Sequence, residues 1–277
     1  MLPEPPLIRN EAECHGGRET LRVMTYNVHS CRGLDLRVRP ERIARVIEEY
    51  APDLVALQEL DVNRRWSGRA DQPRVIAESL RMHCHFQPTV MLEGEHYGIA
   101  VLSRYPIEVE KAGRLISHGT PRFFSRRLAS WLNPFFEPRE AILCRVRAPG
   151  GGLYFMNTHL SLRPNERMAQ AESLFGPDWM GSLSEPSLPF IFCGDFNAGP
   201  RSEAHALFAR EFRDVRHAMN DGLRKTFFSF SPIVQVDHIF FKGGVRLAGA
   251  RIPSTPLTRS ASDHLPVIAD FTFNGTS

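Results

Sequence analysis

Residues able to bind a metal or move a proton recur in this chain at the ends of apolar runs. Asn27 closes LRVMTYN, Glu59 follows DLVALQ, and His159 ends LYFMNTH. Asp195 and Asn197 sit in CGDFN, Asp237 in VQVDHIFF, and Asp263 with His264 precedes LPVIADFTF. Gathered at one edge, such a set suits metal-assisted hydrolysis. Hard oxygen ligands accept Mg²⁺, and nearby imidazoles and amides offset charge on phosphate oxygens. Each residue also has a plainer reading. Glu59 can be a surface carboxylate in a turn, Asn27 a turn residue satisfying backbone groups, and Asp195 with Asn197 an Asx turn ahead of Ala198-Gly199-Pro200. Glu59 follows a buried strand rather than a polar run, which favours a site.

Bringing these groups together requires strands that end on a common edge. LRVMTYNV, DLVAL, GIAVLS, AILCRVR, LYFMNTHL, PFIFCGDF, VQVDHIFF and LPVIADFTF are β-rich runs bounded by turn residues. Pro40 to Tyr50 places Ile43, Val46, Ile47 and Tyr50 at helical spacing, and Asp71 is suited to cap a helix over DQPRVIAESL. Further helical patterns follow Pro164 and span Ala204 to Phe208. Long β runs without regular strand-helix alternation favour packed sheets over a doubly wound parallel sheet. Residues 1–20 carry breakers and no apolar period and read as a flexible leader. Residues 21–277 read as one domain, with no repeat or Gly/Ser linker to divide them.

With 277 residues, 42% of them hydrophobic, the chain can build a sizeable core. A formal net charge of +3 falls short of the excess that marks a nucleic-acid binder by composition. Cys14, Cys31, Cys84, Cys144 and Cys193 are scattered and form no CxxC pair, so they read as reduced thiols. With no signal-peptide or membrane-spanning pattern, the expected location is the cytoplasm.

The ordered series TYNVH, ALQELD, GIAVLSRYPI, NTHL, CGDFNAGP, QVDHIFF and SDHLPV, running from about Leu21 to Phe273, resembles the endonuclease/exonuclease/phosphatase superfamily, the DNase I-like hydrolases. The resemblance implies an α+β fold, a four-layer α/β/β/α sandwich of two packed, mostly antiparallel β-sheets flanked by helices, with the active site at one edge. It makes Glu59 the principal Mg²⁺ ligand, with Asn27 and Asp263 contributing and Mn²⁺ a substitute. Asp195 becomes the general base, Asn197 and His159 phosphate-stabilising groups, and His264 the catalytic histidine oriented by Asp237. Arg139 in EPREAIL falls where relatives hold a phosphate-contacting arginine; its plainer reading is a surface arginine paired with Glu137 or Glu140. Tyr97 either reaches the phosphate or packs. His238 is expected on the opposite face from Asp237. His83, His85, His96, His118, His205 and His217 are read as structural.

Two departures matter. His29 stands where the abasic-site repair branch has an acid, and QVDHIFF lacks the arginine-bearing motif of inositol-phosphate 5-phosphatases, which argues against a polyphosphoinositol monoester. The implied reaction is Mg²⁺-dependent hydrolysis of a phosphodiester by in-line attack of an Asp-activated water. The substrate is a phospholipid or other small phosphodiester, with DNA or RNA the alternative. A non-catalytic binding protein is disfavoured, because every motif position carries a competent residue. The segment 121–136 places Phe124, Leu128, Trp131, Leu132 and Phe135 on a helical stripe with Arg122 and Arg126 off it. It is either a packed lid or a peripheral contact with the inner membrane face.

Overall fold

The computed structural model describes residues 20–92, 94–116, 137–216 and 225–274. The β-rich runs pair into two sheets. One contains β1 (Thr20–Asn27), β2 (Leu54–Val62), β3 (His83–Leu92), β4 (Glu95–Ser103), β11 (Val245–Arg251) and β12 (Val267–Phe273), in the order β11-β12-β1-β2-β4-β3. The other contains β5 (Ile107–Arg114), β6 (Glu140–Ala148), β7 (Gly151–His159), β8 (Phe190–Asp195), β9 (Arg213–Asp214) and β10 (Asp237–Lys242), in the order β5-β6-β7-β8-β10-β9. Among the described residues, only β1/β2 and β7/β8 pair in parallel; the other ladders are antiparallel.

Alternation along each strand sends one set of side chains between the sheets and the other outward. Val23, Leu54, Val101, Ile142, Phe155, Ile191, Ile239 and Val267 form the inner core. The outer face of the first sheet is covered by α1 (Pro40–Tyr50), α2 (Gln72–Leu80) and α5 (Pro256–Ala261), with Ile43, Val46, Ile47, Ile76 and Ala261 among the buried contacts. That of the second is covered by α3 (Pro164–Phe175) and α4 (Glu203–Glu211), through Ala171, Leu174, Ala204 and Phe208. The result is the expected four-layer sandwich. Pro40 opens α1 where its missing N–H is harmless, and Asp71 caps α2 by accepting the Arg74 N–H at 3.1 Å.

Strands β3, β5 and β11 were not marked by the apolar runs. Each lies at a sheet edge, and β5 and β11 bury only Val245 between them, so their sequences carry little hydrophobic signal. The leader, residues 121–136, His118, His217 and Cys14 lie outside the described residues, apart from Thr20, which opens β1. No helix among the described residues is long and apolar enough to cross a membrane.

Candidate active site

Strand register builds the centre of the site. Asp195 ends β8, where it lies opposite His159 on parallel β7 and opposite Asp237 on antiparallel β10. The close approach of β7 to β8 explains the glycine of CGDFN: a Cβ on Gly194 would stand 2.1 Å from the Thr158 carbonyl oxygen. Glu59 is delivered differently. A bulge in β2 between Leu57 and Leu60 puts Glu59 at φ 61°, a left-handed conformation unusual for a non-glycine residue. Asn197 also adopts this region, at φ 47°, which asparagine tolerates better than most residues.

The first sheet meets the second at Asn27, whose Nδ2 donates to Glu59 Oε1 at 2.8 Å and to Asp195 Oδ2 at 2.9 Å. The Asn197 N–H donates to Asp195 Oδ1 at 2.9 Å, so the Asx turn and the site are one feature. His264 Nδ1 lies 2.8 Å from Asp237 Oδ2, and its Nε2 lies 3.8 Å from Asp195 Oδ2. Burial works against a charged His264, yet the adjoining Asp237 carboxylate outweighs it and lifts the imidazole pKa to about 10. Burial, reinforced by Asp237, pushes Asp195 up to about 7. Below these groups, buried Gln58 Nε2 donates to Thr25 Oγ1 and Asn157 Oδ1, while Asn157 Nδ2 donates to the carbonyls of Leu57 and Ala100, pinning the sheets together.

Arg139 is not a surface arginine. It is 3% exposed, with Nη1 3.3 Å from Glu137 and 2.8 Å from His159 Nδ1. A guanidinium only donates, so the imidazole must accept. Burial and the neighbouring Arg139 accordingly hold the His159 pKa well below its usual value, and this histidine is neutral. Asn197 Nδ2 adds a contact to His159 Nε2 at 3.1 Å. Tyr97 is buried in the cleft wall, its ring under the Arg64 guanidinium. Glu137, which sequence reasoning did not single out as a site residue, faces the same cleft; burial raises its carboxyl to about 7 despite Arg139.

Asp263 reaches the cleft beside His264, but its Oδ2 is 2.7 Å from His29 Nδ1, and the His29 N–H also donates to Asn27 Oδ1 at 3.0 Å. This pairing lowers the Asp263 pKa against the effect of burial and raises that of His29. His29 therefore engages oxygens of two expected metal ligands. His238 does point away from Asp237. It lies 3.0 Å from Asp214 Oδ2 and 2.8 Å from the Ala198 carbonyl, while His205 meets the same Asp214 oxygen at 2.9 Å. The aspartate is held strongly acidic by the two histidines even though burial opposes its charge. His205 thus has a structural role. The others foreseen as structural, His83, His85 and His96, lie on β3 and β4, outside the cluster around Asp195.

Two side-chain groups in this cleft are close enough to hold a cation, Glu59 with His159 and Asp195, and Asp195 with Asp237 and His264. Glu59 is the better anchor. Its side chain is 26% exposed and takes one hydrogen bond, from Asn27, leaving acceptor positions toward the cleft. An accessible carboxylate with the Asp195 carboxylate close by fits a hard divalent ion. The cleft has a volume of about 1330 Å³, and its lining includes Arg32, Trp66, Glu59, Asp195, His264, Arg201 and Lys225.

Two six-stranded sheets between helical layers, with acids, amides and histidines gathered at one edge, define a DNase I-like hydrolase fold. The chain belongs to the Endonuclease/Exonuclease/phosphatase family, which it matches over residues 24–264, and whose members are phosphoesterase hydrolases. It is 25% identical over 263 residues to the uncharacterized protein YbhP of Escherichia coli K12, covering 91% of this chain and 96% of that protein. It is 31% identical to exodeoxyribonuclease III of Haemophilus influenzae over 97 residues, 34% of this chain and 30% of the enzyme. Among solved structures, an endonuclease/exonuclease/phosphatase protein from Beutenbergia cavernae superposes with a TM-score of 0.71 at 22% identity, covering 93% of this chain and 72% of that one.

Proposed function

We propose that this protein hydrolyses a phosphodiester, with Asp195 as general base and a divalent cation, Mg²⁺ or Mn²⁺, held by Glu59 with oxygens from Asn27 and Asp263. The observation that carries the reading is the convergence on one Asp195 carboxylate of Asn27, Asn197, His159 and His264. Asp195 orients a water and takes its proton as the water oxygen bonds to phosphorus and the opposite P–O bond breaks. Asn27 and the Asn197 backbone hold the carboxylate in place. The His264 imidazolium, kept charged by Asp237, faces the charge that builds on phosphate oxygens. Neutral His159 and the Asn197 amide offer hydrogen bonds, Arg139 holds His159 and adds a second positive charge, and Tyr97 shapes the wall. The cation, when bound, neutralises phosphate charge.

The substrate reading favoured here is a phospholipid or other small phosphodiester, processed on the cytoplasmic side of a membrane. Exposed apolar side chains at the cleft edge, Trp66, Ile233 and Val234, support it. A nuclease is the second reading, supported by the partial likeness to exodeoxyribonuclease III. A contact through residues 121–136 belongs to the first reading, but that segment lies outside the described residues. Asp195→Asn is expected to lower turnover of a soluble diester such as bis(p-nitrophenyl) phosphate by about a hundredfold or more with an unchanged circular dichroism spectrum. Near-normal activity in that variant would sink the base assignment. Comparing plasmid nicking with hydrolysis of a phospholipid panel under Mg²⁺ separates the two substrates.

A further inference from the structure

Exposed large apolar side chains stand on three loops, two of which reach the cleft through Trp66 and Ile233. Leu34 and Leu36 stand in the turn after β1, Trp66 follows Arg65, and Phe228, Phe230 and Ile233 occupy the turn before β10. Phe230 is 74% exposed and Phe228 48%. Two of these loops are braced on α5. The Leu34 N–H donates to the Ser260 carbonyl at 3.2 Å, and Ser229 Oγ, between the two phenylalanines, donates to the Arg259 and Ser262 carbonyls at 2.9 and 2.6 Å. Ser229 is therefore buried while its neighbours on both sides are turned outward. The tips are held out by backbone and serine hydrogen bonds.

Cations share this rim. Arg32, Arg201 and Lys225 line the cleft; of its carboxylates, Glu59 and Asp195 belong to the catalytic cluster, Glu137 is paired with Arg139 and Asp263 with His29. Asp35, the acid between Leu34 and Leu36, is held by the two-pronged contact of Arg42, with both bonds at 3.0 Å. Basic side chains beside projecting aromatic rings match an anionic lipid surface, where rings settle at headgroup depth and cations meet lipid phosphates. Neither Phe228 nor Phe230 lines the cleft, so neither stands where it would stack on a base whose phosphate lies at Asp195.

We propose that this rim docks the protein on an anionic phospholipid bilayer, Phe228 and Phe230 entering the headgroup region and Arg32, Arg201 and Lys225 contacting lipid phosphates. The contact rests on the phosphodiesterase reading only in presenting a lipid phosphodiester to Asp195. The test is co-sedimentation of the full chain with vesicles of equimolar phosphatidylglycerol and phosphatidylcholine, and with phosphatidylcholine alone.

The wild type is expected to sediment with the anionic vesicles, and less so in high salt. The double variant Phe228→Ser/Phe230→Ser is expected to bind them at least about tenfold more weakly while hydrolysing bis(p-nitrophenyl) phosphate within about twofold of wild type. Wild-type protein left in the supernatant, or undiminished binding by the double variant, overturns the proposal. So does a loss of affinity for a short single-stranded DNA in that variant with vesicle binding intact. Failure of the wild type to cleave the soluble diester counts against the proposed reaction and leaves the docking result standing.

Discussion

Asp237→Asn isolates the most strongly opposed pair of charges in the site. In the wild type, the Asp237 carboxylate 2.8 Å from His264 Nδ1 overcomes burial and raises the imidazole from 6.5 to about 10. The isosteric amide still accepts the Nδ1 hydrogen bond but carries no charge, so burial is left to favour the neutral ring, and the pKa is expected at or below the ordinary value. Near pH 8 the protonated fraction then falls from nearly all to about 3%, a loss of about 30-fold in a rate that needs the imidazolium. Asp195, relieved of Asp237, also becomes easier to ionise, so the acidic limb of the pH–rate profile shifts down together with the basic limb. The assay is the pH dependence of kcat/KM on a soluble diester, paired with an NMR titration of the His264 ring. The linkage has a definite sign. A histidine whose folded pKa is raised stabilises the fold fully below about 6.5 and loses that contribution as pH rises through about 10. The melting-temperature gap between wild type and Asp237→Asn should therefore be wide near neutrality and close above pH 10. A basic limb that stays near 10 in the variant, or a gap that does not close, would refute the account.

Asp195 carries the opposite linkage. Its raised pKa means that the charged form opposes folding as pH rises from about 4 through about 7, so metal-free Asp195→Asn should melt higher than wild type near pH 8 despite its loss of turnover; thermal denaturation in chelator checks this. Chelation should abolish hydrolysis, with recovery on adding Mg²⁺ or Mn²⁺, and Glu59→Gln should raise the metal concentration needed for half-maximal rate by about tenfold or more. His238→Phe removes the partner of the Ala198 carbonyl and one of two imidazoles on Asp214; a loss of about 1–3 kcal/mol in urea denaturation is expected, with activity lowered through Asn197. Gly194→Ala should destabilise by several kcal/mol, about the upper range for single substitutions, because the added Cβ would stand only 2.1 Å from the Thr158 carbonyl oxygen and the β7 backbone cannot move aside; solubility and melting temperature report it.

How far the sequence could be read follows from where each residue sits. Central strands such as β1, β7, β8 and β12 are buried on both faces and wrote unbroken apolar runs, so they and the polar residues at their ends were visible. Edge strands β5 and β11, half solvated, wrote no such run. The fold class and the grouping of Asn27, Glu59, His159, Asp195, Asp237 and His264 were thus within reach. Partnerships across the sheets were not. Gln58 and Asn157 each end an apolar stretch in an ordinary way, yet they meet between the sheets through contacts nearly a hundred positions apart. Arg139 shows the limit most clearly. Glu137 and Glu140 beside it left a surface ion pair standing next to the phosphate-contacting reading; Glu137 is indeed its partner, but the arginine is buried. Only the position of β7 next to β6 carries His159 onto the guanidinium, and this contact turns a surface residue into a buried cation. The same contact makes His159 an acceptor. His159, expected as a phosphate-stabilising group, is therefore neutral, and the positive charge beside it sits on Arg139 and His264.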